Sequence, residues 1–275
     1  MVACLESVEI TDYGRKAVSS KGHMHLSIDI VALLFAVAIV AGCVDTIAGG
    51  GGLIVLPTLL MVGLPPAAAL ATNKLQGSGG TLVASIYFLR KQIVRLRDIR
   101  LTVFMTFVGA VFGVWLVLKI DSTVLKAIIP FLLIGMGAYF ALSPQLGAID
   151  QTHRVADKPF AIFFAPLLGF YDGFFGPGTG MFMTLALVNL RGHNLTKATA
   201  HTKLLNCTSN VWSLVYFLAF GDVYWGAGLI MLAGQVIGSS IGARIVLAKG
   251  AGLIRPVVAV VCFLMAFKLL LDVFS

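Results

Sequence analysis

The chain has 275 residues, of which 59% are hydrophobic and only 12% are charged. Charged residues make up about 25% of an average soluble domain, so this chain lacks the polar groups that a water-covered surface needs, and its composition predicts a protein embedded in the lipid bilayer. The formal net charge of +8 is spread between apolar segments instead of forming a stripe, which argues against a nucleic-acid partner and favours loop charges that set membrane topology.

Residues 1–26 are polar and lack the basic start, apolar run and cleavage site of a secretory signal, so we expect a polar extension. A membrane helix needs about 20 mostly apolar residues. The apolar segments that follow are 27–47, 52–63, 66–90, 100–119 and 124–142 and, after a polar connection at 143–158, 159–174, 179–190, 200–219, 225–247 and 255–273. The short segments 52–63 and 179–190 predict half-helices or re-entrant segments, which leaves about eight full transmembrane helices.

The two halves, 27–142 and 159–275, repeat each other. Asp45 and its glycine run match Asp172 and its glycine run, and Ala-Thr-Asn-Lys74-Leu matches Ala-His-Thr-Lys203-Leu. The alignment that places Lys74 on Lys203 also carries Gly109 and Gly113 onto Gly238 and Gly242. Because charged and glycine positions stay in register, we predict two transmembrane repeats. The spaced glycine pairs are assigned to close helix packing.

Loop charge indicates that the repeats are inverted. Arginine and lysine dominate the loop at 90–100, whereas the equivalent loop after Phe217 contains neither. The positive-inside bias places the first loop in the cytoplasm and the second outside, and opposite bias in equivalent loops is typical of inverted-topology repeats. The fold class predicted is therefore an all-α polytopic membrane protein with two inverted repeats. The basic residues of 1–26 run against this bias, so the side of the N-terminus stays open.

Each half contains a glycine-rich break. Consecutive glycines cost roughly 1 kcal/mol each inside a helix, and the freed backbone groups need partners or water. We therefore expect the breaks to line a buried cavity, with half-helices that start near Leu53 and Met181 and bind an anion at their positive ends. The substrate-binding candidates at the breaks are Gly49, Gly50, Gly51, Gly52, Gly176, Gly178 and Thr179.

Lys74 and Lys203 each begin a long apolar segment. A lysine in a membrane segment usually faces a cavity, although its stem can instead lie in lipid while the ammonium reaches the interface. The repetition favours substrate contact, and neighbouring polar residues could donate to an oxyanion. The further substrate-binding candidates are Asn73, Lys74, Gln76, Thr202, Lys203 and Asn206, with Ser78 and Ser209 nearby.

Asp45 and Asp172 precede the two breaks. A buried carboxylate can carry a proton, cap the broken helix or pair with Lys74 and Lys203, and all three roles stay open. His201 is a further candidate for proton coupling. The four cysteines show no metal-binding spacing and no nucleotide-binding loop occurs, so neither a metal nor another cofactor is expected.

The motifs together resemble one known family. Ala-Gly-Gly-Gly-Gly with the following Pro57-Thr58, then Ala-Thr-Asn-Lys, echoed by Gly-Phe-Tyr-Asp-Gly-Phe-Phe-Gly-Pro-Gly-Thr-Gly and Thr-Lys-Leu-Leu-Asn, is similar to the sulfite exporter TauE/SafE family, in its branch of probable membrane transporter proteins of the bacterial inner membrane. The resemblance extends from about residue 27 to the C-terminus. It implies a multi-pass inner-membrane protein that exports small sulfur-containing anions such as sulfite or organosulfonates.

The sequence therefore predicts a secondary transporter, with a small anionic substrate and the lipid bilayer as its partners and a homodimer left open. The alternatives are an anion channel and an intramembrane aspartyl enzyme. The enzyme is disfavoured because the repeat predicts equivalent roles for the two aspartates and because Asp45 lies in Cys-Val-Asp-Thr and not in the Gly-x-Gly-Asp motif of that class. The particular anion, the direction of transport and the coupling ion stay open.

Overall fold

The computed structural model describes residues 27–142 and 154–249, and every regular element in these ranges is helical. The first half contains α1 (Ile28–Ala48), α2 (Gly51–Met61), α3 (Pro66–Arg90), α4 (Leu96–Val117) and α5 (Ser122–Leu142). The second half contains α6 (Asp157–Pro159), a π-helical turn (Phe160–Phe164), α7 (Ala165–Phe174), α8 (Thr179–Arg191), α9 (Leu195–Phe220) and α10 (Trp225–Lys249). The predicted extension 1–26, most of the connection 143–158 and the segment 255–273 lie outside the described residues.

The described helices confirm the prediction of an all-helical membrane protein. The segments Ile28–Ala48, Leu96–Val117 and Trp225–Val246 are long and apolar enough to cross a bilayer. Helices α3 and α9 have 25 and 26 residues, which is enough length to span the hydrocarbon core, but they carry the polar motif residues and are less apolar. The number of eight full spans and the inversion of the repeats stay predictions.

Both predicted breaks are present between helices. Helix α1 ends at Ala48, and Gly49 follows with a left-handed φ of 75° and an N–H that donates to the carbonyl oxygen of Asp45. In the second half, Gly176 and Gly178 have φ values of 90° and 82°. These conformations favour glycine because a side chain at positive φ is strained.

The half-helices begin at Gly51 and Thr179, slightly before the predicted starts near Leu53 and Met181. The first helical turn of each therefore includes part of the glycine-rich run itself. The two breaks also touch: an added Cβ at Gly49 would lie 2.3 Å from the backbone carbon of Gly180. The starts of α2 and α8 consequently lie side by side in the interior.

Two helix interfaces join the halves through the spaced glycines. Helix α4 packs against α7, and α10 packs against α1. A Cβ added to Gly109 would lie 2.0 Å from the carbonyl oxygen of Pro166, and one added to Gly238 would lie 2.0 Å from that of Ile39. The alignment of the halves relates these two contacts to each other. The packing role predicted for these glycines is confirmed.

Helices α3 and α9 pack against each other at the centre of the molecule. Each begins after a half-helix and carries one of the two motif lysines. Because α1 lies against α10 and α4 lies against α7, the aspartate at the end of α1 or α7 is held near the central helices of the opposite half. This arrangement positions the site.

Candidate functional site

The two motif lysines form ion pairs that cross between the halves. Lys74 Nζ lies 3.0 Å from Asp172 Oδ1, and Lys203 Nζ lies 2.9 Å from Asp45 Oδ2. Each lysine side chain is only 1% exposed, so neither ammonium reaches the surface by snorkelling. Of the roles that the sequence left open for the aspartates, the structure shows pairing with the lysines. Neither α2 nor α8 has a side-chain hydrogen bond at its N-cap.

Additional hydrogen bonds satisfy both pairs. Lys74 Nζ donates to Asn210 Oδ1 at 3.2 Å, and Ser209 Oγ donates to Asp172 Oδ2. Lys203 Nζ also donates to the backbone carbonyl oxygen of Asp45. Taking a charge out of water costs several kcal/mol, and good geometry with full hydrogen bonding is what offsets that cost. Burying the four charges is therefore costly unless every contact is made, and these contacts connect α1 to α9 and α7 to α3 across the two halves.

A small central cavity lies beside these pairs, with free space of about 20 Å³. That space is little more than a single water molecule needs. The predicted residues that line it are Asp45, Gly49, Gly52, Asn73, Lys74, Gln76, Asp172, Gly176, Gly178 and Asn206, and the residues not predicted are Gly77, Asn210 and Gln235.

The other predicted substrate-binding residues lie outside the lining of this cavity: Gly50, Gly51, Thr179, Thr202 and Lys203. Thr179 Oγ1 donates to the carbonyl oxygen of Gly176, 2.6 Å away. Thr202 Oγ1 shares a hydrogen bond of 3.0 Å with Thr184 on α8. These hydroxyls therefore stabilise the second break and the contact between α8 and α9. Their proposed contact with substrate stays a prediction.

His201 lines a second cavity, with free space of about 220 Å³, between the start of α4, the end of α8 and the start of α9. Its Nδ1 is 2.8 Å from the carbonyl oxygen of Lys197, and its ring centroid is 4.8 Å from that of His193. Arg191 and Asp157 form an ion pair in the same lining. The sequence analysis grouped His201 with Asp45 and Asp172 as candidates for proton coupling, but the fold places His201 in a different cavity from these two aspartates.

The ionised groups of the two crossed pairs balance. Two lysines and two aspartates are paired one to one, so their formal charges cancel. Any positive potential then comes from the starts of α2 and α8, since the dipole at a helix start is equivalent to roughly half a positive charge. The cationic pocket that the sequence predicts from helix ends and lysines stays a prediction, and the paired lysines add no net charge to it.

The sequence analysis did not predict three of the residues that line the central cavity. Asn210 lies one helical turn after Asn206, and Gly77 lies nearly one turn after Lys74, so both share a helix face with a predicted residue. Gln235 is an amide within a largely apolar segment, and polar residues inside membrane helices are usually functional. That signal could have found Gln235, but only the tertiary structure shows that α10 brings it to this cavity.

Known proteins resemble this chain over nearly its whole length. The family model described as Sulfite exporter TauE/SafE matches residues 34–269. A probable membrane transporter protein of Haemophilus influenzae is 49% identical over 249 residues, which cover 90% of this chain and 98% of the relative. The probable membrane transporter protein YfcA of Escherichia coli K12 is 50% identical over 243 residues, 88% of this chain and 90% of the relative. No solved structure matches the chain.

Proposed function

The chain belongs to the sulfite exporter TauE/SafE family, and on this premise we propose that it is a secondary transporter that moves a small sulfur-containing oxyanion, such as sulfite or an organosulfonate, out of the cytoplasm across the inner membrane. The observation that carries the proposal is the central cavity. It lies where two helix breaks touch, and two crossed lysine–aspartate pairs join the halves beside it.

The anion site is formed by the starts of α2 and α8 together with Lys74. Gly52 and Gly178 line the cavity at these starts, and glycine lets a ligand approach the backbone N–H groups closely. Lys74 supplies a charged donor from α3. An oxyanion in the cavity competes with Asp172 for this ammonium. Binding therefore loosens one of the contacts between the halves.

Alternating access follows if one half rocks against the other around this site. The inverted arrangement that such motion requires is supported by the loop charges, which are strongly basic at 90–100 and lack lysine and arginine at 221–224. Single cysteines in place of Lys91 and Asp222, in a background without native cysteines, test it. A membrane-impermeant maleimide should label them from opposite sides. Labelling of both from one side would contradict the inversion.

Transport itself is tested with purified protein in proteoliposomes and labelled sulfite. A carrier saturates with substrate and shows counterflow, whereas ohmic single-channel currents would identify a channel and contradict the proposal. Since the chain has no nucleotide-binding loop, the membrane potential or a proton gradient supplies the energy. Imposing each gradient separately on the vesicles distinguishes the two.

A further inference from the structure

Two buried carbonyl oxygens at the central cavity have no donor. Gln76 Oε1 and Gln235 Oε1 find no hydrogen-bond partner within the part of the chain that the structure describes. Both side chains line the cavity, with exposures of 2% and 1%. Buried acceptors are almost always paired, because leaving one without a donor is costly. These oxygens therefore need a hydrogen-bond donor, which water or a bound ligand supplies.

A hydrogen bond orients the amide of Gln76, and close helix packing places the side chain of Gln235 at the cavity. Gln76 Nε2 donates to Asn73 Oδ1 at 2.9 Å, which leaves Oε1 as the open end of the amide. The side chain of Gln235 fits beside α3 because residue 80 is glycine: a Cβ there would lie 2.4 Å from Gln235 Cγ. Gly42 lets the backbone of α10 approach α1, since a Cβ at Gly42 would lie 2.6 Å from the backbone carbonyl oxygen of Gln235. Close approach of α10 to α1 and α3 thus makes room for a long polar side chain at the cavity.

Neither glutamine has a glutamine at the equivalent position of the other half. In the alignment that places Lys74 on Lys203, Gln76 corresponds to Leu205, and Gln235 corresponds to Thr106. Leu205 lines the second cavity, and Thr106 Oγ1 donates to a carbonyl oxygen on its own helix. The duplication therefore does not explain the acceptors. Gln76 Oε1 and Gln235 Oε1 therefore place hydrogen-bond acceptors at the cavity that have no equivalent under the alignment of the halves.

The charge balance limits the ligand further. The crossed ion pairs cancel, and the two helix starts together are equivalent to roughly one positive charge. A single negative charge matches this potential, whereas a dianion exceeds it. Among the described residues, no group of three or more histidine, cysteine, aspartate or glutamate side chains is placed to hold a metal ion.

We propose that the central cavity selects a monovalent oxyanion that carries its own hydrogen-bond donor, which Gln76 and Gln235 accept while the helix starts and Lys74 bind the oxyanion oxygens. This inference rests on the proposed function, since it assumes that the cavity is the transport site. The ligand class includes hydrogensulfite and hydroxyalkanesulfonates. Sulfate, a dianion without a donor, falls outside it.

The test uses ligands that differ in one hydroxyl group, 2-hydroxyethanesulfonate and ethanesulfonate, with sulfate as the dianion. Binding to the purified full chain is measured by calorimetry. We expect the hydroxylated ligand to bind about tenfold more tightly or better, as for a buried acceptor that gains a donor. Gln235→Met and Gln76→Met should each reduce this ratio towards one, while the exposed Gln92→Met should keep it.

Equal binding of the two sulfonates by the unmodified chain would overturn the inference and leave the proposed function intact, because the oxygens would then hold only water. Tighter binding of sulfate, or binding that requires sodium, would also overturn the inference. Failure to bind sulfite or either sulfonate would remove the proposed function and the inference together. If Gln235→Met does not fold, the ligand pair on the unmodified chain and on Gln76→Met still decides.

Discussion

The Lys74–Asp172 and Lys203–Asp45 pairs come from equivalent positions of the repeat and have nearly equal lengths, yet their surroundings differ. Lys74 lines the central cavity and also donates to Asn210. Lys203 does not line the cavity, and its second acceptor is a backbone carbonyl at the end of α1. On the proposed function, the first pair exchanges a partner for a ligand, while the second holds the end of α1. Equivalent positions of the two halves therefore form the same contact in different surroundings.

Removing Lys203 should have the largest effect on stability. Lys203→Ala leaves Asp45 as a buried charge without its partner and removes a donor from the end of α1, so we expect a loss of about 3–5 kcal/mol. Thermal unfolding in detergent measures it. Neutralising both members with Lys203→Gln and Asp45→Asn should recover part of the loss. A Lys203→Ala protein as stable as the unmodified chain would contradict the role of this pair in holding the end of α1.

The two breaks should differ in the same way. Gly49 has a φ of 75°, and Gly49→Ala places a Cβ 2.3 Å from the backbone of Gly180. Because the contact is with backbone and not with a flexible side chain, we expect the free energy of unfolding to fall by about 2–4 kcal/mol. Gly176→Ala is also strained, at a φ of 90°, but its Cβ would lie 2.9 Å from Lys74 Nζ, the end of a flexible side chain. We therefore expect a smaller loss of stability, together with weaker anion binding. Equal stability losses in both variants would remove this distinction.

Anion binding should depend on one pair more than on the other. Replacing Lys74 with Gln and Asp172 with Asn removes a charged donor from the cavity without leaving an unpaired charge. We expect affinity for sulfite to fall about 10- to 100-fold, since hydrogen bonds to charged groups contribute about 1.5–3 kcal/mol. The matched variant with Lys203→Gln and Asp45→Asn should fall less, as calorimetry can measure. Equal losses would mean that both lysines contact the anion.

The glycine interfaces provide a comparison in which the halves should behave alike. Gly109→Ala and Gly238→Ala each place a Cβ 2.0 Å from a backbone carbonyl oxygen, so each should cost about 1–3 kcal/mol through overpacking. Gly135→Ala on α5 is the control because nothing lies within 4 Å of its added Cβ. It should be neutral or stabilising by up to about 1 kcal/mol. A large difference between Gly109→Ala and Gly238→Ala would show that the two interfaces are not equivalent.

The helices were largely predictable because their signals are local. Apolar run length and glycine breaks placed the first helix at 27–47, and the structure has it at Ile28–Ala48. The main differences are early starts: the segments predicted from 100 and 200 begin at Leu96 and Leu195. In both cases charged or polar residues extend the helix beyond its apolar part, with Asn194 accepting from the N–H of Lys197 as the N-cap of α9. Hydropathy cannot detect such turns.

By itself the sequence determined a helical membrane protein, the two breaks and most residues that line the cavity, while the two inverted repeats stay a prediction. It could not decide which aspartate meets which lysine, because a repeat offers every lysine an equivalent partner in its own half and in the other. Packing of α1 on α10 and of α4 on α7 brings Asp45 to Lys203 and Asp172 to Lys74. The same packing brings Gln235 to the cavity from a distant helix. Such contacts depend on the path of the whole chain, and tertiary structure alone fixes that path.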